Sequence, residues 1–225
     1  MKTALDKVRE SPGSTKARIL AAAQDVFAAK GFEGASTREI ASRAEVNISS
    51  LHYHWESKET LYLAIFERIF QQLVDLLRDE IVMPSSAEDA RAVIERAMGI
   101  TFDFYIDNPT IPKLLMRRMM ETAAVEQTVM RDALGPALEV FDDWVRSFAP
   151  DRLPEKDVAF FMLVVQSVLL VSMLESPFVS SLIGGSVHDP VVRSRVRAQV
   201  IQLVLTLLRV DAQKAPGSGK GGGRE

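Results

Sequence analysis

Apolar residues return every three or four positions along almost the whole chain, and the strict alternation that a half-buried strand requires is nearly absent. Ile19, Leu20, Ala23, Val26 and Phe27 fall on one face of a helix, the pattern set by a period of about 3.6 residues. A chain written this way folds as helices packed on helices. Ser14 stands where an N-cap belongs, Gly31 where a C-terminal glycine belongs, and Phe32 can turn back onto Phe27. The first helix is therefore predicted over about 15–30.

Two short helices follow. Ser36-Thr37-Arg38-Glu39 reads as a capping box, with Ser36 as the cap and Glu39 reaching back to the Ser36 amide. It opens a helix over about 37–44. Asn47 caps another over about 48–54, and Ser57 caps a long one in which Leu61, Ile65, Ile69, Leu73 and Leu77 recur every fourth residue. Pro84 ends that helix near Met83. Further helices are expected at about 87–107, 110–121, 125–149, 155–175 and 190–210. Breaks fall at Asn108-Pro109, Pro150, Pro154 and the Gly184-Gly185 loop, and Gly135-Pro136 should kink or split the third of them. The expected fold is all-α: a three-helix head and a larger helical body, about nine helices together. The divisions are an N-terminal arm over 1–13, a head over 14–56, a body over 57–211 and a Gly-rich, disordered tail over 212–225.

The helices at 37–44 and 48–54, joined by a tight turn, make a helix-turn-helix, whose second helix enters the major groove of DNA. Its exposed residues are small or hydrogen-bonding: Asn47, Ser49, Ser50, His52 and Tyr53. Such side chains reach base edges and phosphates with little desolvation cost. Lys58 and Thr37 stand at helix starts, where free amides favour a phosphate. With Arg38, Ile48 and His54 these form the candidate DNA-binding set. His52 and His54, two positions apart on a helix, point to different sides and cannot clasp one metal ion.

The run from Arg18 to Leu63, RILAAAQDVFAAKGFEGASTREIASRAEVNISSLHYHWESKETLYL, resembles the DNA-binding head of TetR-type (TetR/AcrR) bacterial transcriptional regulators. The resemblance rests on the Phe-Ala-Ala-Lys-Gly-Phe exit of the first helix and the Thr-x-x-Ile-Ala entry of the second. It rests also on Val46-Asn47, on Leu51 to Trp55 and on Ser57-Lys58-Glu59. It implies an all-helical homodimer that binds a palindromic operator and is loosened by a small molecule in the body of each subunit. Three positions depart from the family's habit: Glu45 stands where glycine is usual, His52 where Tyr is common and Trp55 where Phe is common. A left-handed Glu45 would cost roughly 1 kcal/mol, and Trp55 should wedge between the head and the long helix.

In the body, Val192, Val196, Val200, Leu203, Leu207 and Val210 run along the last helix. Paired with the helix at 155–175 and their copies across a two-fold axis, they would form a four-helix dimer interface. The middle helices carry large, adaptable side chains. Phe102, Tyr105, Leu115, Met116, Met119, Phe141, Trp144, Phe161 and Val165 are the candidate effector contacts, with Met98, Met120 and Val145 nearby. Arg117, Arg118 and Glu121 are placed either to orient a polar group of a ligand or to sit in solvent. No Ser–His–Asp set, paired carboxylates or phosphate-cradling glycine loop stands out, so no enzyme, cofactor or metal is expected.

Composition bears on three points. Absence of cysteine excludes disulfides and thiolate metal sites and fits a reducing cytoplasm. No signal peptide is read at the N-terminus, and Val158 to Leu174 is too short and too polar for a membrane span. The formal charge of −3 argues against binding nucleic acid by bulk positive charge. Residues 1–60, however, hold nine Lys/Arg against eight Asp/Glu, leaving 18 against 22 for the rest. The acidity lies in the body. The expected function is a DNA-binding regulator, a repressor released by a largely apolar effector. The alternatives are a ligand-independent accessory factor or an activator of the same fold, with a helical enzyme or lipid carrier further off.

Overall fold

The computed structural model describes residues 11, 13–81, 87–120, 135–148 and 155–208. Ten helices lie among them: α1 Thr15–Gly34, α2 Thr37–Arg43, α3 Ile48–His54, α4 Lys58–Glu80, α5 Ala87–Asp107, α6 Thr110–Met120, α7 Gly135–Phe148, α8 Glu155–Ser172, α9 Pro177–Ile183 and α10 Pro190–Leu207. The fold is all-α. Most of the N-terminal arm, the tail, Glu121, Val210 and the stretch 125–134 expected as helix lie outside the described residues, as do the side chains of Trp144 and Val145.

The helix starts follow from their caps. Ser14 accepts from the Ala17 amide, Ser36 from Glu39, Asn47 from Ser50 and Ser57 from Thr60. One detail differs from the capping box: the Glu39 carboxylate takes the Lys30 ammonium at 2.8 Å instead of the Ser36 amide. That ion pair, with Arg43–Asp25 at 2.7 Å, ties α2 to α1. Within α1 the backbone breaks at Gly31, at φ 75°, and Phe32 stacks on Phe27 with ring centroids 6.0 Å apart. Glu45, in the turn between α2 and α3, is left-handed at φ 55°.

Aromatic residues of α4 extend the core from head to body. Tyr62 meets Phe27 and Phe32 at 5.0 Å each, Phe66 meets Tyr62 at 4.9 Å, and Phe70 follows at 6.4 Å. The spacing of four residues that aligns 62, 66 and 70 places them on one side of the helix, beside the Leu61–Ile65–Ile69 stripe. Trp55 is buried and takes the Lys16 ammonium over its ring at 4.6 Å.

Two sequence expectations in the body need correction. Residues 177–183 form α9, where a loop was expected; Ser176 caps it, Pro177 opens it and Gly184 ends it at φ 75°. On α10, Val192, Val196 and Val200 pack into the subunit's own core, while Val191, Leu203 and Leu207 are the apolar residues left exposed. An apolar stripe marks a face that must be covered, without saying by which neighbour. On α8 the burial is likewise one-sided: Phe161, Val165 and Leu169 face inward, whereas Phe160, Leu163 and Val171 face out. No single described helix is long and apolar enough to cross a membrane.

Candidate DNA-binding surface and effector cavity

Helix α3 is held by a single deeply buried residue, Leu51, and by the Asn47 cap, whose Oδ1 accepts from the Ser50 amide at 2.7 Å. The rest of the helix faces outward. Tyr53 is 86% exposed, Ser49 and His52 are exposed, and Ile48 lies at the margin. Ser50 and His54 are half-buried, the His54 ring standing edge-on to Tyr53 at 5.1 Å. An exposed aromatic of this size has no structural use on a short surface helix. Ser49, His52 and Tyr53, three and four positions apart, offer a hydroxyl, an imidazole and a phenol on one exposed face, donors and acceptors of the kind that read base edges and phosphates.

The flanking candidates divide. Arg38 is exposed on α2, and Thr37 half-buried beside it. Lys58 is turned inward. Its Nζ donates to the carbonyls of Phe32 at 2.9 Å and Ala35 at 3.3 Å and lies 4.3 Å from the Phe32 ring centroid. The lysine closes the end of α1, and the free amides at the start of α4 sit next to that closure. Sequence spacing could not show this, because the carbonyls belong to a segment 23 to 26 residues earlier.

The body encloses a cavity of about 380 Å³. Of the nine candidate contacts, Tyr105, Leu115, Met119, Phe141, Phe161 and Val165 line it. Phe102 is fully buried in the core and Met116 packs against that core, so neither reaches the cavity wall. The wall also includes Phe70, Leu73 and Leu77 of α4, Ile94 and Met98 of α5, Leu163 and Leu169 of α8, and Val204 of α10. Its polar groups are few: Thr101, Tyr105, Gln166 and Arg118. Gln166 was legible only as a polar interruption of an apolar helix.

Tyr105 and Gln166 bond to each other across α5 and α8, with Gln166 Nε2 donating to the Tyr105 hydroxyl at 2.9 Å and Oε1 lying 3.2 Å from it. Burial pushes the Tyr105 phenol up to about 12, opposed in part by the Gln166 bond. Arg117 and Arg118 differ in use. Arg118 lines the cavity with its guanidinium 5.8 Å from the Phe66 ring centroid; Arg117 reaches away from it to carbonyl oxygens of α1.

A helix-turn-helix presenting an exposed polar recognition helix, mounted on an all-helical body, defines a DNA-binding transcriptional regulator. A family model described as bacterial regulatory proteins, tetR family, matches residues 19–65. Over those residues the head is similar to the DNA-binding domain of that family. The transcriptional repressor SCO4008 of Streptomyces coelicolor is 27% identical over 164 residues, 71% of this chain and 80% of that protein. The transcriptional activator FasR of Mycolicibacterium smegmatis is 35% identical over 89 residues, 40% of this chain and 39% of that protein. Among solved structures, a tetR-family transcription regulator from Shewanella sp. PV-4 superposes with a TM-score of 0.65, covering 86% of this chain and 97% of that one at 22% identity.

Proposed function

We propose that this regulator is a cytoplasmic repressor that grips a palindromic operator as a homodimer and is released when a small, largely apolar molecule fills the cavity. The observation that carries this reading is the route between cavity and head. Phe70 is at once a wall of the cavity and the end of the aromatic row that reaches Phe32 beside the helix-turn-helix. Helix α6 makes a second route, contributing Leu115 and Met119 to the cavity while packing along α1.

The head over 14–56 then supplies the DNA contacts, through Thr37, Arg38, Asn47, Ile48, Ser49, Ser50, His52, Tyr53 and His54 and through the start of α4 at Lys58. The body over 57–211 holds the ligand and the partner subunit. Dimerisation through α8 and α10 would cover Phe160, Leu163, Val171, Leu203 and Leu207, which a lone subunit leaves exposed. A two-fold dimer sets its recognition helices about 34 Å apart, one turn of DNA. A ligand switches such a system only by its differential affinity for the two states, a few kcal/mol for a near-complete shift.

Fluorescence anisotropy on a palindrome from the gene's own upstream region tests this. Saturable binding of two subunits per site, lost with rising salt and on adding an apolar ligand, is the expected result. Equal affinity for random DNA across a salt series sinks it. An increase in transcription on adding the protein to a purified polymerase system would assign it the activator role that FasR's name carries.

A further inference from the structure

The cavity wall is almost entirely hydrocarbon, and its few polar groups differ in what they can still do. Thr101 spends its hydroxyl proton on the Ala97 carbonyl at 2.9 Å. Arg118 stands over the Phe66 ring, 5.8 Å from its centroid, and has a further interaction of its own. Tyr105 lies one turn beyond Thr101 on α5, and Gln166 faces it from α8. Their mutual contacts engage one Nε2 proton and Oε1 of Gln166 and the hydroxyl proton of Tyr105. A phenol hydroxyl and a primary amide together offer three donors and four acceptor sites, so capacity remains on both.

We propose that this cavity takes a compact, uncharged apolar molecule bearing one amide, carbonyl or hydroxyl group, seated on the Tyr105–Gln166 pair. The inference rests on reading the cavity as the effector site. A neutral group that both donates and accepts replaces its lost water bonds on this pair. A carboxylate would leave water for a wall of Phe, Leu, Ile and Met and meet neutral dipoles at the pair, with Arg118, held against Phe66, the cation among the described lining residues. The environment of Tyr105 agrees: burial opposes its ionisation. At about 380 Å³ the space lies near the lower end for small-molecule pockets, which span roughly 300–1,000 Å³.

Decanamide and decanoate differ in little but charge and serve as the probes, with binding to the full-length protein followed by calorimetry near neutral pH. Decanamide should bind saturably and at least about tenfold tighter than decanoate, the worth of one well-made buried hydrogen bond set against charge desolvation. Gln166→Leu and Gln166→Met should both bring the ratio of the two affinities toward one. Equal or tighter binding of decanoate by the unaltered protein overturns the proposal whether or not the variants fold. Decanoate binding abolished by Arg118→Met would replace it with an anion site. No saturable binding of decanamide overturns it as well. Operator release is read separately. If decanamide binds with the stated preference but leaves the DNA complex intact, the effector role fails and the ligand class stands. Tighter decanoate that releases DNA gives the reverse.

Discussion

Arg117 of α6 donates from its guanidinium to the carbonyl oxygens of Ala29 at 2.8 Å and Ala28 at 3.3 Å, just before the Gly31 break in α1. Those carbonyls belong to the last turn of the helical stretch that carries the head, where acceptors lack helical partners. A second polar junction stands nearby: Arg68 of α4 donates to Gln24 of α1, and Gln24 donates to Thr110 of α6 at 2.8 Å. Three helices are thus pinned where head meets body. Because α6 also walls the cavity, these bonds are the path by which, under the proposed function, a ligand would displace α1.

Arg117→Met should therefore uncouple more than it destabilises. Loss of the two bonds lowers unfolding free energy by about 1–2 kcal/mol, read by urea denaturation. The sharper readout is the ratio of operator affinity with and without a cavity ligand, which should fall toward one. A variant that keeps the full ratio places the coupling on the aromatic row alone.

Tyr53 and Ser49 present their side chains to solvent, so removing them should leave the fold untouched. Tyr53→Ala and Ser49→Ala are each expected to weaken specific operator binding by more than about 1 kcal/mol, with the melting temperature unchanged. If both variants bind as tightly as the parent, the recognition surface lies elsewhere on the head.

Helix starts were legible because their signals are local. Ser14, Ser36, Asn47 and Ser57 each accept from an amide three residues on. Helix α9 was equally legible in Ser176-Pro177 and Gly184, but those residues are also common in loops, and only seven residues lie between them. The apolar faces were legible as faces and not as contacts. Val192 and Val196 obey the same periodicity as any dimer stripe, yet α5 covers them from within the subunit. Phe102 and Tyr105 sit three apart on α5 and looked alike; the structure fills the space before Phe102 and leaves it open before Tyr105. Lys58 shows the same limit, since its partners come from a distant part of the chain.

Glu45 occupies the left-handed region, where a side chain costs energy and glycine does not. Glu45→Gly is expected to stabilise the head by about 1 kcal/mol, less the entropy that glycine adds to the unfolded chain. Urea denaturation of the two proteins measures it. A destabilised variant would show that the exposed Glu45 side chain makes a contribution larger than the strain it causes.

The outward faces of α8 and α10 give a prediction on assembly. Phe160 is 67% exposed and Val171 45%, and neither lines the cavity. Phe160→Asp with Val171→Asp should yield a folded monomer by sedimentation, with helical content retained. Its operator affinity should fall by more than about tenfold, because two half-sites are then bound independently. A variant that stays dimeric moves the interface off α8.

Tyr105 supplies a pH dependence whose sign is fixed by its environment. Its phenol is pushed up to about 12 from the ordinary 10.0 because burial disfavours the phenolate. The folded state thus holds the proton more tightly than the unfolded one. Its contribution is fully present below pH 10 and is lost as pH rises from about 10 to about 12. The amount is on the order of 2–3 kcal/mol for a shift of this size. Tyr105→Phe cannot titrate there, so the difference between the two unfolding curves isolates the group from Tyr53, Tyr62 and the lysines. The parent should lose stability relative to the variant across that window, and parallel curves would mean that Tyr105 meets water in the folded protein.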